Sequence, residues 1–237
     1  MSYQTVFKRY EIKYLLTREQ QAQILKVMEP YMQPDAYGAT TIRNLYFDTD
    51  NYRLIRRSME KPIYKEKLRV RSYQKAGEQD KVFVELKKKF DDVVYKRRLS
   101  MTAGEANRWL IGEEPCPTDH QISHEIAYFL EHYQPLQPKV YLCYDRQAYE
   151  DETGFRITFD ENIRARRDNL SLDSEQGGTD LLEGDTVLME LKTNGGIPLW
   201  LTRELTRLKI FKASFSKYGK AYEKLIFNGG MDNGRII

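Results

Sequence analysis

The sequence predicts an α+β fold in which about eight antiparallel strands close into a barrel, with helices packed outside it. Three observations carry that expectation. Short segments alternate apolar and charged residues with a period of two, which places the two kinds of side chain on opposite faces of a strand. Turn residues or single helical segments join these strands, without a repeat of fixed period and without a linker. A hydrophobic content of 41% and an aromatic content of 12%, with 17 Tyr, suit a folded, strand-rich chain rather than a disordered one. At 237 residues the chain is expected to form a single domain over 1–237.

Taken in order, residues 6–13 read as the first strand, with Phe7, Arg9, Glu11 and Lys13 on one face. Thr17 and Gln20 form a capping pattern that opens a helix, and Pro30 stops it. A second strand over 40–47 runs into Tyr46-Phe47-Asp48, after which Asp50 is placed to cap a short helix through Met59. Strand 64–73 follows, then a turn at Gly77 and strand 81–88. Asp91-Asp92 make a hairpin turn into strand 93–99, which carries Lys96, Arg97 and Arg98.

Thr102 and Glu105 form a second capping box, opening a helix through Trp109, and a further helix is expected over 121–133. Strand 139–149 places Tyr144 and Arg146 on one face, and strand 154–161 does the same for Arg156, Thr158 and Asp160. Residues 168–185 are polar and rich in Gly, with Gly177-Gly178 at their centre, and read as a mobile loop. Strand 186–192 turns Leu188, Glu190 and Lys192 one way and Val187, Met189 and Leu191 the other. Helices then start near Pro198 and Ser216, and the tail after Asn228 is expected to fray.

The chemistry is concentrated where the alternation is most charged. Lys65, Lys67, Arg69 and Arg71 fall on one face of strand 64–73, with Leu68 and Val70 on the other. A like-charge pair at close range costs roughly 4 kcal/mol at an effective dielectric near 20, so such a row calls for a polyanion. A solvated edge strand that resists aggregation would show the same row. The device recurs, however, as Glu11/Lys13, Glu85/Lys87 and Glu190/Lys192, each on a strand whose other face is largely apolar. That recurrence predicts an interior lined by both signs of charge, converging on an enclosed channel. Arg and Lys there would hold phosphate oxygens and the carboxylates a divalent cation. A solvated polar sheet laced with ion pairs remains the competing reading of the same pattern.

At these residues the chain resembles the catalytic domain of the vacuolar transporter chaperone (VTC) family, within the CYTH, or triphosphate tunnel metalloenzyme, superfamily. The stretches that carry the likeness are Phe7 to Tyr14, Asn44 to Thr49, Tyr64 to Arg71, Val84 to Lys87, Tyr144 to Arg146, Arg156 to Asp160, Leu188 to Lys192 and Phe215 to Tyr218. Together they span residues 6–226 in order. The resemblance implies an eight-stranded triphosphate tunnel that transfers the ATP γ-phosphate to a growing inorganic polyphosphate chain, with Mn²⁺ or Mg²⁺. It implies phosphate contacts from Lys13, Arg69, Arg71, Lys87, Arg146, Arg156 and Lys217, with Lys67 and Arg98 as further candidates. Glu190 would hold the metal, with Glu85 and Glu11 as additional metal candidates. The catalytic set is then Lys217, Glu190, Arg69 and Arg71. Where the wider superfamily often begins with ExExK, this chain has Arg9 at the first acidic position, which disfavours cyclase or simple triphosphatase chemistry. A tunnel triphosphatase and a binding module for polyphosphate or inositol polyphosphate are the alternatives.

Other signals are excluded or set aside. The 38 basic and 35 acidic residues nearly cancel, so no global basic field points to nucleic acid. Cys116 and Cys143 form neither a CxxC nor a disulfide framework, which fits a reducing, cytoplasmic setting. No apolar run suggests a signal peptide or a membrane span, so any recruitment to a membrane would need a membrane-protein partner. There is no P-loop and no Rossmann fingerprint. His120, His124 and His132 share a helical spacing but lack an accompanying glutamate pattern. Trp109 and Trp200 read as packing residues, and Ser216 has no triad partners.

Overall fold

In the computed structural model the described residues are 10–91 and 93–228. In chain order the elements are β1 (Tyr10–Leu16), α1 (Arg18–Met28), β2 (Gln33–Pro34), β3 (Thr40–Asp48), α2 (Arg53–Met59), β4 (Tyr64–Ser72), β5 (Lys81–Phe90) and β6 (Val93–Thr102). They continue with α3 (Ala103–Leu110), α4 (Gln121–Tyr133), β7 (Gln137–Glu150), β8 (Arg156–Arg166), β9 (Thr179–Asp180), β10 (Val187–Thr193), α5 (Leu199–Arg207) and α6 (Lys217–Tyr222). A π-helical turn, Glu223–Phe227, completes them. All eight expected strands are present, and β2 and β9 are two-residue additions. The class is α+β with antiparallel strands and helices packed against their apolar faces.

The residues group into two compact units, each built from separate stretches of chain. The first comprises residues 1–41, 144–163 and 182–215, and the second residues 42–143, 164–181 and 216–237.

In the first unit β1 pairs with β10 and β10 with β8, all antiparallel. Tyr14, Leu16, Ile157, Phe159, Val187, Met189 and Leu191 pass to one face and join Ile24 and Met28 of α1 and Leu201 and Leu205 of α5 in a single core. α1 begins as expected: the Thr17 hydroxyl accepts from Gln20 N, and the Gln20 side chain accepts in return from Thr17 N. β1 runs on to Leu16 because Tyr14 and Leu16 extend the alternation into that core. Phe7, Lys8 and Arg9, expected in this strand, lie outside the described residues.

In the second unit β3, β4, β5 and β6 pair in that order, again antiparallel. Phe47, Leu68, Val70, Val82, Val84, Leu86 and Met101 form its core with Ala106 and Trp109 of α3 and Ile126, Phe129 and Tyr133 of α4. Trp109 is therefore a packing residue, and in the first unit Trp200 stacks on Tyr31 with centroids 4.9 Å apart. The capping box of α3 is formed by Thr102 and Glu105. His120 caps α4, its Nδ1 accepting from Ile122 N, while His124 Nε2 lies 2.7 Å from Asp119 and His132 packs edge-on against Tyr133.

Two local expectations need correction. The carboxylate at the start of α2 is Asp48, which accepts from Leu54 N at 2.9 Å and Ile55 N at 3.1 Å, whereas Asp50 pairs with Lys139. Tyr52, at φ 58°, turns the chain back so that the strand's last residue, not the turn residue, reaches the helix terminus. The 168–185 stretch is also more tightly held than its composition suggests. Arg166 donates to the carbonyls of Asp168, Asn169, Glu175 and Gly177, and Leu172 and Leu181 are buried. The tail beyond Asn228, and Asp92 of the hairpin turn, lie outside the described residues. Among the described residues no helix is long and apolar enough to cross a membrane.

Candidate functional site

The face opposite each core carries the charge, because side chains alternate along every strand. In the second unit the cross-strand register aligns two charged rows. Arg69, Glu85 and Arg98 stand opposite one another on β4, β5 and β6, and Lys67, Lys87 and Lys96 form the next row. Arg71 lies one row further, opposite Asn44 on β3.

Glu85 is the hub. Its side chain is 1% exposed and takes Arg69 Nη2 at 2.7 Å, Lys96 Nζ at 2.7 Å and Arg98 Nε at 2.7 Å, with Arg71 Nε at 3.9 Å. Burial alone would raise this carboxyl, but Arg69, then Arg71 and Lys96, outweigh it and hold it far below the usual carboxylate range. For Lys96, burial outweighs the attraction of Glu85 and lowers the ammonium to about 8.

The remaining polar groups aim the cations. Asn44 accepts from Arg71 Nε at 2.9 Å and anchors itself by donating to Leu142 O. Tyr46 accepts from Arg69 Nη1 at 3.0 Å while its ring stacks on Tyr218 at 4.4 Å. Burial would raise the Tyr46 phenol, yet Arg69 and Arg71, with Lys217 nearby, hold it below its ordinary value. Tyr218 in turn donates to Asp48 at 2.8 Å. Ser216 caps α6 by accepting from Gly219 N, and also accepts from Lys67 Nζ at 3.0 Å, so its hydroxyl ties that lysine to the helix start. Lys217 is the first residue of that helix.

In the first unit the corresponding face holds mixed charge. Lys13, Glu190 and Thr158 form one row across β1, β10 and β8, and Glu11, Lys192 and Arg156 the next. Glu190 lies 3.4 Å from Lys13 Nζ and 3.5 Å from Arg146 Nη2. Arg146 makes a bidentate pair with buried Asp160, Nε to Oδ1 at 2.6 Å and Nη2 to Oδ2 at 2.7 Å. Burial opposes that charge, but Asp160 and Glu190 more than compensate and keep the guanidinium protonated. Arg156 is committed elsewhere, to Asp35 at 2.6 Å and Glu150 at 3.6 Å, so a phosphate would have to compete for it.

The structure thus groups Lys67, Arg69, Arg71, Lys87 and Arg98 on one face of the second unit, and Glu11, Lys13, Arg146, Arg156 and Glu190 on one face of the first. Sequence reasoning passed over Lys96, Asn44 and Tyr46 as site residues, although the period of two places Lys96 beside Arg98. It also gave no partner to Asp160 or to Asp35, since alternation names a face but not a cross-strand neighbour.

A hard divalent cation needs oxygen donors, and Mg²⁺ typically takes one or two carboxylates, water and substrate phosphates. Among the described residues no group of three or more His, Cys, Asp or Glu forms a ready-made cage. Glu190 meets the smaller requirement. Beside it Thr158 Oγ1 is buried without a hydrogen-bond partner among the described residues, a second oxygen available on the same face. Glu85 does not fit, because Arg69, Lys96 and Arg98 already engage both its oxygens.

Solved structures share this antiparallel, helix-flanked arrangement. A candidate adenylate cyclase from Bacillus halodurans matches with a TM-score of 0.55 at 14% identity, covering 89% of this chain and 94% of that one. A candidate adenylyl cyclase from Hippeastrum, described as having a dominant triphosphatase activity, matches with a TM-score of 0.53 at 16% identity, covering 92% and 95%. At those identities the likeness is one of fold. The model of the VTC domain family matches residues 8–226, and the chain belongs to that family. No curated protein matches the chain.

Proposed function

We propose that the chain is an ATP-dependent polyphosphate polymerase, which transfers the γ-phosphate of ATP to a growing inorganic polyphosphate chain and releases ADP. The observation that supports this most is the register of the second unit, where Lys67, Lys87 and Lys96 stand opposite one another beside Arg69 and Arg98. Like charges directly opposed on a sheet are destabilising. A phosphate chain converts them into attraction, because it repeats its charge at short intervals and accepts hydrogen bonds along its whole length.

In this reading Lys13, Lys67, Arg69, Arg71, Lys87, Arg98, Arg146, Arg156 and Lys217 are phosphate contacts, and Lys96, opposite Lys87, joins them. Phosphoryl transfer asks the protein mainly for positioning and charge neutralisation, which fixed guanidinium groups supply. Glu190, with Thr158 beside it, would hold Mn²⁺ or Mg²⁺, which when bound would neutralise phosphate oxygens. The reading takes 1–237 as a single domain acting on ATP and polyphosphate in the cytoplasm.

Incubation with γ-labelled ATP and Mn²⁺, followed by gel electrophoresis, is expected to give a ladder of labelled phosphate chains. Label in orthophosphate alone would replace this reading with a triphosphatase. Polyphosphate binding without ATP consumption would leave a binding module.

A pH dependence follows from Lys96. Its ammonium is charged below about 8 and neutral above, so the face loses one cation as pH rises through that value. A half-exposed cation contact is worth about 1 kcal/mol. Affinity for tripolyphosphate is therefore expected to fall about fivefold between pH 7 and pH 9. Titration calorimetry on the wild type and on Lys96→Met, which should show a flat response over that interval, checks it.

A further inference from the structure

Tyr46 carries a proton that the charged face of the second unit leaves unused. It stands on β3 opposite Arg69, and Asn44, two residues before it, stands opposite Arg71, so both side chains share the face of those guanidinium groups. Asn44 is engaged on both sides: its carbonyl oxygen accepts from Arg71 Nε and its amide donates to Leu142 O. Tyr46 is engaged on one. Its hydroxyl accepts from Arg69 Nη1 at 3.0 Å, and among the described residues no group accepts a hydrogen bond from it. A phenol is donor and acceptor at once, and the O–H of a buried tyrosine usually finds an acceptor. Tyr46 is 6% exposed.

The two carboxylates tied into this cluster are already taken. Asp48, two residues further along β3, accepts from Thr49 N, Leu54 N, Ile55 N and the Tyr218 hydroxyl. Glu85 receives Arg69, Lys96 and Arg98. Nor is the Tyr46 ring loose. Tyr218 stacks on it with centroids 4.4 Å and planes 16° apart, and Tyr218 is itself anchored on Asp48. Burial pushes the Tyr46 phenol upward, but Arg69, Arg71 and Lys217 outweigh it, so the hydroxyl sits where negative charge is favoured.

We propose that Tyr46 is a further phosphate contact, donating its phenolic O–H to a non-bridging phosphate oxygen held by Arg69 and Arg71. This contact rests on the reading of the face as a phosphate site, and adds a neutral donor among its cations. A group that only aims a guanidinium needs no proton to give, as Asn44 shows for Arg71. A phosphate oxygen beside Arg69 uses the proton that Tyr46 retains, and donation to an ionised acceptor makes a short, strong bond.

Titration calorimetry with tripolyphosphate compares the wild type with Tyr46→Phe, which keeps the ring that stacks on Tyr218. Affinity is expected to fall about 10- to 100-fold, the scale of a hydrogen bond to a charged group. Arg69→Met separates contact from positioning. In that background Tyr46→Phe is expected to weaken binding by a further factor of about three or more, whereas a phenol that only aims Arg69 would change nothing. Crystals of the wild type soaked in tripolyphosphate should place a phosphate oxygen about 2.5–2.7 Å from Tyr46 Oη, a result that does not depend on any variant folding. The proposal is overturned if Tyr46→Phe binds like the wild type, if the second loss is missing in Arg69→Met, or if the bound phosphate lies beyond hydrogen-bond reach of Tyr46. In those three cases the wild type still binds tripolyphosphate, and the phosphate reading of the face survives. A wild type that does not bind tripolyphosphate overturns both.

Discussion

Glu190→Ala is expected to lower metal-dependent ATP turnover by at least about 100-fold, the scale set by losing a transition-state charge stabiliser. Its unfolding midpoint should stay within about 3 °C of the wild type. The separation of the two effects follows from the neighbours. Arg146 keeps its bidentate bond to Asp160, and Lys13 keeps its bond to Phe215 O at 2.7 Å, so neither cation is stranded when the carboxylate goes. Steady-state turnover in Mn²⁺ alongside a thermal melt measures both, and full activity in this variant would remove Glu190 from the metal assignment.

Glu85→Ala is expected to do the reverse, costing about 3–5 kcal/mol of stability because it removes a buried carboxylate that four cations share, of which Arg71 is itself buried. Arg69, Arg71, Lys96 and Arg98 would face one another across the same face with no carboxylate between them. Urea unfolding should show the loss, and tripolyphosphate should restore more stability to this variant than to the wild type. Acid provides an independent check. The folded-state pKa of Glu85 is depressed, so its contribution is fully present above the unfolded value near 4.3 and is lost as pH falls below it toward the folded value. The wild type should therefore lose stability over that acid interval more steeply than Glu85→Gln. Parallel pH profiles for the two proteins would show that the hub is not stabilising.

Alternation alone made most of the fold legible. All eight strands, the two capping boxes at Thr17 and Thr102 and the α4 boundaries at 121–133 could be read from residue order, because each depends on chemistry within a few positions. The same local logic assigned Glu190 and Lys192, or Arg69 and Arg71, to a charged face. It could not say what each charge meets. Glu85 looks like Glu190 in sequence, each followed two residues later by a lysine, yet the strands beside Glu85 supply four cations, whereas Glu190 meets Lys13 from the adjoining β1 and Arg146 from β7, one strand beyond its neighbour β8. That difference arises from strand order and register, which no short window contains. The Asp48 cap was missed for a related reason: its partners are six and seven residues ahead, across a left-handed turn at Tyr52.

The strict division of labour along β4, with Leu68 and Val70 packed inside a core and Lys67, Arg69 and Arg71 on the reverse, constrains how such a chain can diverge. Deleting one residue from this strand would send three cations into hydrocarbon and two aliphatic groups to the ligand side in a single step. Variation in ligand preference within this lineage must therefore accumulate through exchanges at every other position, while insertions and deletions are confined to the turns.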